Sequence, residues 1–139
     1  QMCIRDRSAA HPPPLVFSNQ FDRLVAISDA QLVSFPQIGT MPSRGHSEKT
    51  VPLLGVKEKY TVNEISLMGG GDLLLLYSDG LSDHRDPAGN RYFPGRLEAV
   101  LKAGKHLPAR AIFAAVKTDL LAFNPAPEDD VTVVIIKKT

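Results

Sequence analysis

The stretch LLLLYSDGLSDHRDPAGN, Leu73–Asn90, joins an apolar run to a group of acids. Its four consecutive leucines favour a strand that is buried on both faces, as in the centre of a sandwich. Asp79 follows this run after only two residues. A carboxylate is costly to bury without a partner, so the fold around this strand depends on what Asp79 meets where the strand ends.

The simplest interpretation of the acids is a turn. The pair Asp79-Gly80 is a strong hairpin signal, and DPAGN at Asp86–Asn90 is a better turn candidate still. A calcium loop of the EF-hand type is excluded, because Leu81 stands where that loop needs an oxygen ligand.

A second group of acids precedes another apolar run. Asp129 and Asp130 come directly before VTVVII, Val131–Ile136, which also predicts a strand buried on both faces. If the two strands are antiparallel neighbours, Asp79 and Asp129 lie at one edge of the sheet. Carboxylates brought together repel one another unless a cation neutralises them, and Mg²⁺ or Mn²⁺ prefers oxygen ligands. The alternative is a capped turn before the strand.

Composition excludes several classes of protein. The chain has 139 residues, 43% of them hydrophobic and 22% charged, with a formal net charge of +1, which is typical of one soluble domain and not of a nucleic-acid-binding protein. No apolar run approaches the roughly 20 residues of a membrane helix, and no secretory leader is evident. The single cysteine, Cys3, fits a reducing compartment, so we expect a cytoplasmic protein.

Short β-rich runs and turns occupy the first half. Residues 1–7 have no periodicity and are interpreted as a leader that is not native, with the domain running over 8–139. Residues 36–59 are rich in Pro, Gly, Ser and charge and predict a long surface loop. The remaining predictions are a hairpin of residues 15–18 and 23–27, strands at 31–35, 60–67 and 73–77, and a glycine turn at 68–72.

The second half has helical periodicity. Leu97, Val100 and Leu101 follow Pro94 at helical spacing, and Gly104 is a plausible stop. A longer helix is predicted from Pro108 to about Phe123. One stripe of that helix should pack on a sheet; its members are Ile112, Val116 and Leu120.

Three ordered motifs carry a family resemblance: SAAHPPPLVF (Ser8–Phe17), GGDLLLLYSDGLSDHRDPAGNRYFPGRL (Gly70–Leu97) and PEDDVTVVIIKK (Pro127–Lys138). In this order they resemble the C-terminal half of the metal-dependent, PPM-type serine/threonine phosphatases, in the SpoIIE/RsbU-like branch. The resemblance implies an α+β fold, an α/β-sandwich of antiparallel sheets flanked by helices and truncated at its N-terminus. It also implies a dinuclear Mn²⁺ or Mg²⁺ centre at one end of the sheets.

The resemblance assigns roles residue by residue. Asp79 and Asp129 match two metal-binding aspartates of the family. Gly80 would keep side-chain bulk away from the metal and allow a sharp turn, and Asp130 would orient Asp129. Asp83 falls where relatives often carry an acid; a solvated turn residue is the favoured interpretation, and contact with a further metal or water is the alternative.

The histidines have weaker assignments. His11 matches the Ala-Gly-His-Pro pattern of the family, with Ala10 in place of the usual glycine; a structural hydrogen-bonding residue is the favoured interpretation, and a catalytic acid is the alternative. The other three have no supporting context and stay unassigned: His46, His84 and His106.

One family motif has no counterpart. The pattern Asp-x-x-Gly-His-Gly, which supplies the first metal ligands in the family, is absent, and SRGHSE at Ser43–Glu48 lacks its acid and its second glycine. We therefore expect a fragment that is inactive alone, from a parent phosphatase that also carries an upstream sensor domain. The implied substrate is a phosphorylated regulatory protein of the anti-sigma-factor antagonist type, and a homodimer is left open. The alternative is a signalling or dimerisation module that has kept the fold and lost its metals.

Overall fold

The computed structural model describes residues 2–6, 8–9, 12–25, 34–35 and 63–139, with side chains for residues 12–25 and 69–139. Predictions for His11 and for the loop at 36–59 lie outside these ranges. In chain order the elements are β1 (Met2–Asp6), β2 (Ser8–Ala9), β3 (Leu15–Ser18), β4 (Arg23–Val25), β5 (Ser34–Phe35), β6 (Asn63–Met68), β7 (Leu73–Tyr77), α1 (Asp79–Ser82), α2 (Gly95–Gly104), α3 (Ala109–Phe123) and β8 (Val133–Lys137).

The main sheet is antiparallel, with the strand order β4-β3-β7-β8. β3 and β4 form the predicted hairpin, and Asp22 in its turn has a φ of 54°. Two smaller pairs lie outside this sheet: β1 with β6, antiparallel, and β2 with β5, parallel. β1 consists of residues from the predicted leader, and it pairs with β6. This pairing does not test whether residues 1–7 are native, so that interpretation stays a prediction.

Two helices cover one face of the main sheet. The predicted spacing is confirmed, since Leu97 and Leu101 of α2 are fully buried, as is Ile112 of α3. They pack with Phe17, Leu73 and Leu75 in a single cluster. The core therefore lies between the sheet and the helices. Each fully buried side chain of this kind stabilises the fold by about 1.5–3 kcal/mol. Within the described residues, none of the helices has both the length and the apolar character that crossing a membrane requires.

The opposite face of the sheet corrects a prediction. β7 and β8 were expected to be buried on both faces, but Leu76, Val134 and Ile136 are 44%, 46% and 43% exposed. Leu76 lies opposite Val134 in the register, and Ile136 is two residues further along β8. The residues that the structure describes put no layer over this corner, which leaves the three side chains in contact with solvent.

The residues after β7 correct a second prediction. Asp79-Gly80 is not the turn of a hairpin; it begins α1, one helical turn that buries Leu81 completely. β7 instead pairs with β8, far along the chain. The predicted turn at Asp86–Asn90 is confirmed, because the amide of Gly89 donates to the carbonyl of Asp86 at 2.9 Å and Gly89 has a φ of 85°.

Candidate metal site

The two acidic segments meet at one edge of the main sheet. Tyr77, the last residue of β7, lies opposite Val133, the first residue of β8, so the residues after one strand and before the other lie at the same end. A cavity of about 310 Å³ opens there. Its lining consists of Asp79, Gly80, Asp83, His84, Arg85, Glu128 and Asp129.

Backbone contacts hold the two segments together. The amide of Ser78 donates to the carbonyl of Thr132 at 3.0 Å, and the amide of Thr132 donates to Oγ of Ser78 at 2.9 Å. The hydroxyl of Ser78 in turn donates to the carbonyl of Asp130 at 3.1 Å. A single serine therefore extends the β7–β8 pairing up to the acids, which fixes their spacing without using any carboxylate.

Gly80 is required by this close approach. A Cβ atom at residue 80 would lie 2.4 Å from the carbonyl oxygen of Asp130 and 3.0 Å from its carbonyl carbon. Such distances are not sterically allowed, and the obstructing atoms belong to the backbone. The described contacts thus explain the glycine by the approach of two chain segments, whereas the sequence resemblance attributed it to space for a metal.

The carboxylates of Asp79 and Asp129 are exposed and only partly hydrogen-bonded. Oδ1 of Asp79 accepts from the amide of Gly80 at 3.0 Å, and Oδ1 of Asp129 accepts from the amide of Asp130 at 2.7 Å. Both bonds come from the next residue in the chain. Among the described residues no hydrogen bond uses the second oxygen of either group, so each carboxylate retains acceptor capacity toward the cavity.

The other predicted site residues have different positions. Asp83 lines the cavity, and its amide caps α1 by donating to the carbonyl of Asp79 at 2.8 Å. Asp130 is not among the lining residues; its backbone contributes, through the contacts with Ser78 and with Asp129. The predicted orienting role of its side chain remains a prediction.

The sequence interpretation missed three lining residues. Glu128 is the first acid of the same Glu-Asp-Asp run, so that run was the signal for it. His84 and Arg85 had no such signal. His84 is only 4% exposed, and its Nε2 lies 3.3 Å from the carbonyl oxygen of Leu120 in α3.

The cavity has the type of ligand that a hard divalent cation prefers, but its described ligands are not all close enough together to bind one. Four carboxylates, those of Asp79, Asp83, Glu128 and Asp129, provide the oxygen ligands that Mg²⁺ and Mn²⁺ prefer. Within the side chains that the structure describes, however, no three such groups are arranged closely enough to hold an ion. The arrangement is therefore a partial ligand set that needs further ligands.

Comparisons with known proteins identify the family and the fold. A family model described as Stage II sporulation protein E (SpoIIE) matches residues 6–139. The phosphatase domain of the cell fate determinant SpoIIE from Bacillus subtilis, in a Mn-presoaked structure, aligns with a TM-score of 0.55 at 16% identity, over 94% of this chain and 48% of that chain. A structure of the SpoIIE PP2C phosphatase domain with a fragment of its regulatory domain gives 0.59 at 16% identity, over 97% and 34%.

A third structure contains the RsbU and RsbW domains of Rv1364c from Mycobacterium tuberculosis. It aligns with a TM-score of 0.61 at 18% identity, over 98% of this chain and 32% of that chain. A search of curated proteins gave no match. The chain thus has the predicted PP2C-type fold and spans about half the length of the solved SpoIIE phosphatase domain.

Proposed function

Because the chain belongs to the SpoIIE family of PPM-type phosphatases, we propose that it is the C-terminal part of a catalytic domain that hydrolyses phosphoserine or phosphothreonine on proteins. One observation carries the proposal: Asp79 and Asp129, from the ends of two paired strands, line the same cavity with free carboxylate oxygens. Since those acids contribute nothing to the apolar core, a role in binding explains them better than a role in folding.

Asp79 and Asp129 would hold Mn²⁺ or Mg²⁺, with Asp83 and Glu128 beside them. A bound divalent ion lowers the pKa of water and so supplies a nucleophile near neutral pH. That nucleophile would serve to hydrolyse the phosphoester to phosphate and the free serine or threonine, without a covalent enzyme intermediate. The task of the described residues is to hold the acids at one edge, which the contacts of Ser78 and Gly80 achieve.

The parent protein would supply what this chain lacks. The chain covers about half of the solved phosphatase domain, and the described acids form a partial ligand set, so we expect the other metal ligands, a dinuclear centre and an upstream sensor domain in the parent. By similarity to SpoIIE and to RsbU, the substrate would be a phosphorylated regulator of a partner-switching system in the cytoplasm.

A second candidate is a signalling module without catalysis. The absence of a ready three-ligand group among the described side chains favours it. The two candidates differ in the upstream sequence of the parent, because an Asp-x-x-Gly-His-Gly motif supports the enzyme and a degenerate version supports the module.

Turnover by the complete parent domain tests the proposal. Asp79→Asn and Asp129→Asn should each lower Mn²⁺-dependent hydrolysis of a phosphoserine protein or an aryl phosphate by about a hundredfold or more, since even residues that only support metal ligands are worth about 10–100-fold. Excess Mn²⁺ should restore part of the loss.

The matched control is Asp86→Asn, a half-buried acid in the neighbouring turn that does not line the cavity and whose substitution keeps an acceptor oxygen. It should retain near-normal turnover. The 139-residue chain alone should show none. Strong metal-dependent turnover by that chain, lost in Asp79→Asn, would contradict the proposed need for the rest of the domain.

A further inference from the structure

The wall of the cavity after α1 is attached to the end of α3. Nε2 of His84 lies 3.3 Å from the carbonyl oxygen of Leu120, and Nδ2 of Asn124 donates to the carbonyl of Arg85 at 2.8 Å. Both contacts join residues that are far apart in sequence. Asp83, His84 and Arg85 together form one continuous part of the cavity lining.

The contact made by His84 determines what its ring can do. A carbonyl oxygen only accepts hydrogen bonds, so Nε2 carries the hydrogen and donates it to Leu120. That nitrogen therefore cannot act as a metal ligand while the contact lasts. This contact supports a positioning role for His84 through Nε2 and leaves Nδ1 unassigned.

Packing restricts the same ring from two further sides. Its centroid lies 6.1 Å from the ring of Tyr92, edge to face, and 5.9 Å from the ring of Phe123. The amide of Tyr92 also donates to the carbonyl of His84 at 3.0 Å. Side chain and backbone of residue 84 are both held, and with them the neighbouring Asp83.

Rigid support of this kind matters most for a weak or partial ligand set. An ion that must also order its ligands binds less tightly, because part of the binding free energy is spent on ordering them. Asp83 and Arg85 belong to a short connection between α1 and the turn at Asp86–Asn90. The contacts from α3 add to the hydrogen bonds that the amide of Asp83 makes to Asp79 and the amide of Tyr92 makes to His84, and together they hold this connection beside Asp79.

We infer that His84 and Asn124 are positioning residues, which attach the cavity wall to the C-terminal end of α3 and so raise the affinity of the site for its metal. The inference rests on the proposed function and extends it to α3, whose C-terminal end is joined by these two contacts to the residues directly after Asp83. Neither residue is expected to contact the substrate or the ion.

Metal affinity of the complete parent domain is the test, measured by titration calorimetry with MnCl₂ and no substrate. His84→Asn is too short to reach Leu120 and should weaken Mn²⁺ binding by about 10–100-fold, the range found for residues that support metal ligands. His84→Gln places an N–H near the former Nε2 and should recover most of the affinity. Asn124→Asp keeps the shape, loses the donor to Arg85, and should also weaken binding.

Controls separate positioning from general destabilisation. His106→Gln changes an exposed histidine outside the cavity and should leave Mn²⁺ affinity unchanged. Urea unfolding of every variant identifies any that fails to fold, and if His84→Asn does so, His84→Gln and Asn124→Asp decide. At saturating Mn²⁺, kcat of the folded variants should return to near the unmodified value, which a misshapen active site would not allow.

Three outcomes overturn the inference or its premise. Unchanged Mn²⁺ affinity in folded His84→Asn and Asn124→Asp would overturn the positioning role, provided that Asp79→Asn still weakens binding. Equal losses in His84→Gln and His84→Asn would show that the N–H donor is irrelevant. If Asp79→Asn also binds Mn²⁺ normally, the proposed function fails first.

Discussion

Both ends of β7 carry an aspartate, and the fold uses the two carboxylates differently. Asp72, before the strand, is 5% exposed, and each of its oxygens accepts a backbone hydrogen bond, from Asn19 at 2.7 Å and from Gly69 at 2.6 Å. Asp79, after the strand, is exposed and accepts one bond, from the adjacent amide. The carboxylate of Asp72 joins two turns, whereas in the described structure the carboxylate of Asp79 bonds only to the adjacent residue.

Pairing with β8 continues past both ends of β7. At the Asp72 end, the amide of Gly71 donates to the carbonyl of Lys138 at 2.9 Å, and the amide of Lys138 donates to the carbonyl of Asp72 at 3.0 Å. At the Asp79 end, hydrogen bonds between Ser78 and Thr132 extend the pairing in the same way. The backbone is therefore equally well fixed at the two ends, and the difference lies in the side chains.

The difference teaches how a structural acid and a binding acid can be told apart. A carboxylate whose oxygens are both used inside the protein stabilises the fold and has little capacity for a ligand. A carboxylate that shares a cavity with other acids and keeps a free oxygen adds repulsion to the fold and is open to a cation. On this criterion Asp79 belongs with Asp129.

Gly80→Ala is expected to have the largest effect on stability. The new Cβ would overlap the backbone of Asp130, and overpacking of this kind costs about 1–3 kcal/mol or more. The variant should separate the two acidic segments and lose Mn²⁺ binding as well. Urea unfolding of the parent domain measures the effect, and Gly95→Ala, where a Cβ meets no atom within 4 Å, is the control. Equal stability of the two variants would contradict the close approach.

Exchanging the acid at either end of β7 should give opposite results. Asp72→Asn removes an acceptor from one of two backbone amides and should lower the free energy of unfolding by about 1–3 kcal/mol, the cost of an unsatisfied buried group. Asp79→Asn should leave that free energy unchanged or raise it, because it relieves repulsion among the cavity acids. Urea unfolding in EDTA tests both. A stability loss confined to Asp79→Asn would reverse the comparison.

An acid on the helical layer sharpens the comparison through pH. Arg96 donates two hydrogen bonds to Asp119, at 2.8 and 2.9 Å, and they lower the pKa of Asp119 below its ordinary value of 3.8. A lowered pKa in the folded state means that the pair stabilises the protein above pH 3.8, and that this stabilisation is lost as pH falls through the lowered pKa.

Asp119→Asn should therefore shift the urea midpoint at pH 7 by less than Asp72→Asn does, since ion pairs in contact with solvent contribute little. The shift should disappear in acid. Urea unfolding curves of the unmodified protein and of Asp119→Asn, recorded from pH 7 to pH 2.5, measure this shift. A shift that persists at the lowest pH would show that the charge of Asp119 is not its cause.

Local patterns in the sequence predicted most of the helices and strands. α2 and α3 begin after Pro94 and Pro108 and bury the expected stripes. They were predictable because helical periodicity and the signals for helix ends depend only on residues close together in the sequence. The hairpin of β3 and β4 and the turn at Asp86–Asn90 were predictable for the same reason. The Asp79-Gly80 signal failed, since β7 pairs with β3, earlier in the chain, and with β8, which lies beyond the helices, so that no hairpin forms there.

The sequence by itself determined which acids lie at the ends of apolar strands, and its motifs indicated the family. Only the tertiary structure decided which of those acids share a cavity, because that depends on the pairing of β7 with β8. It also decided that Leu76 and Val134 are exposed and that His84 reaches Leu120, 36 residues away. Apolar composition does not say which layers cover a strand, and contacts between distant segments exist only once the sheet and the helices have packed.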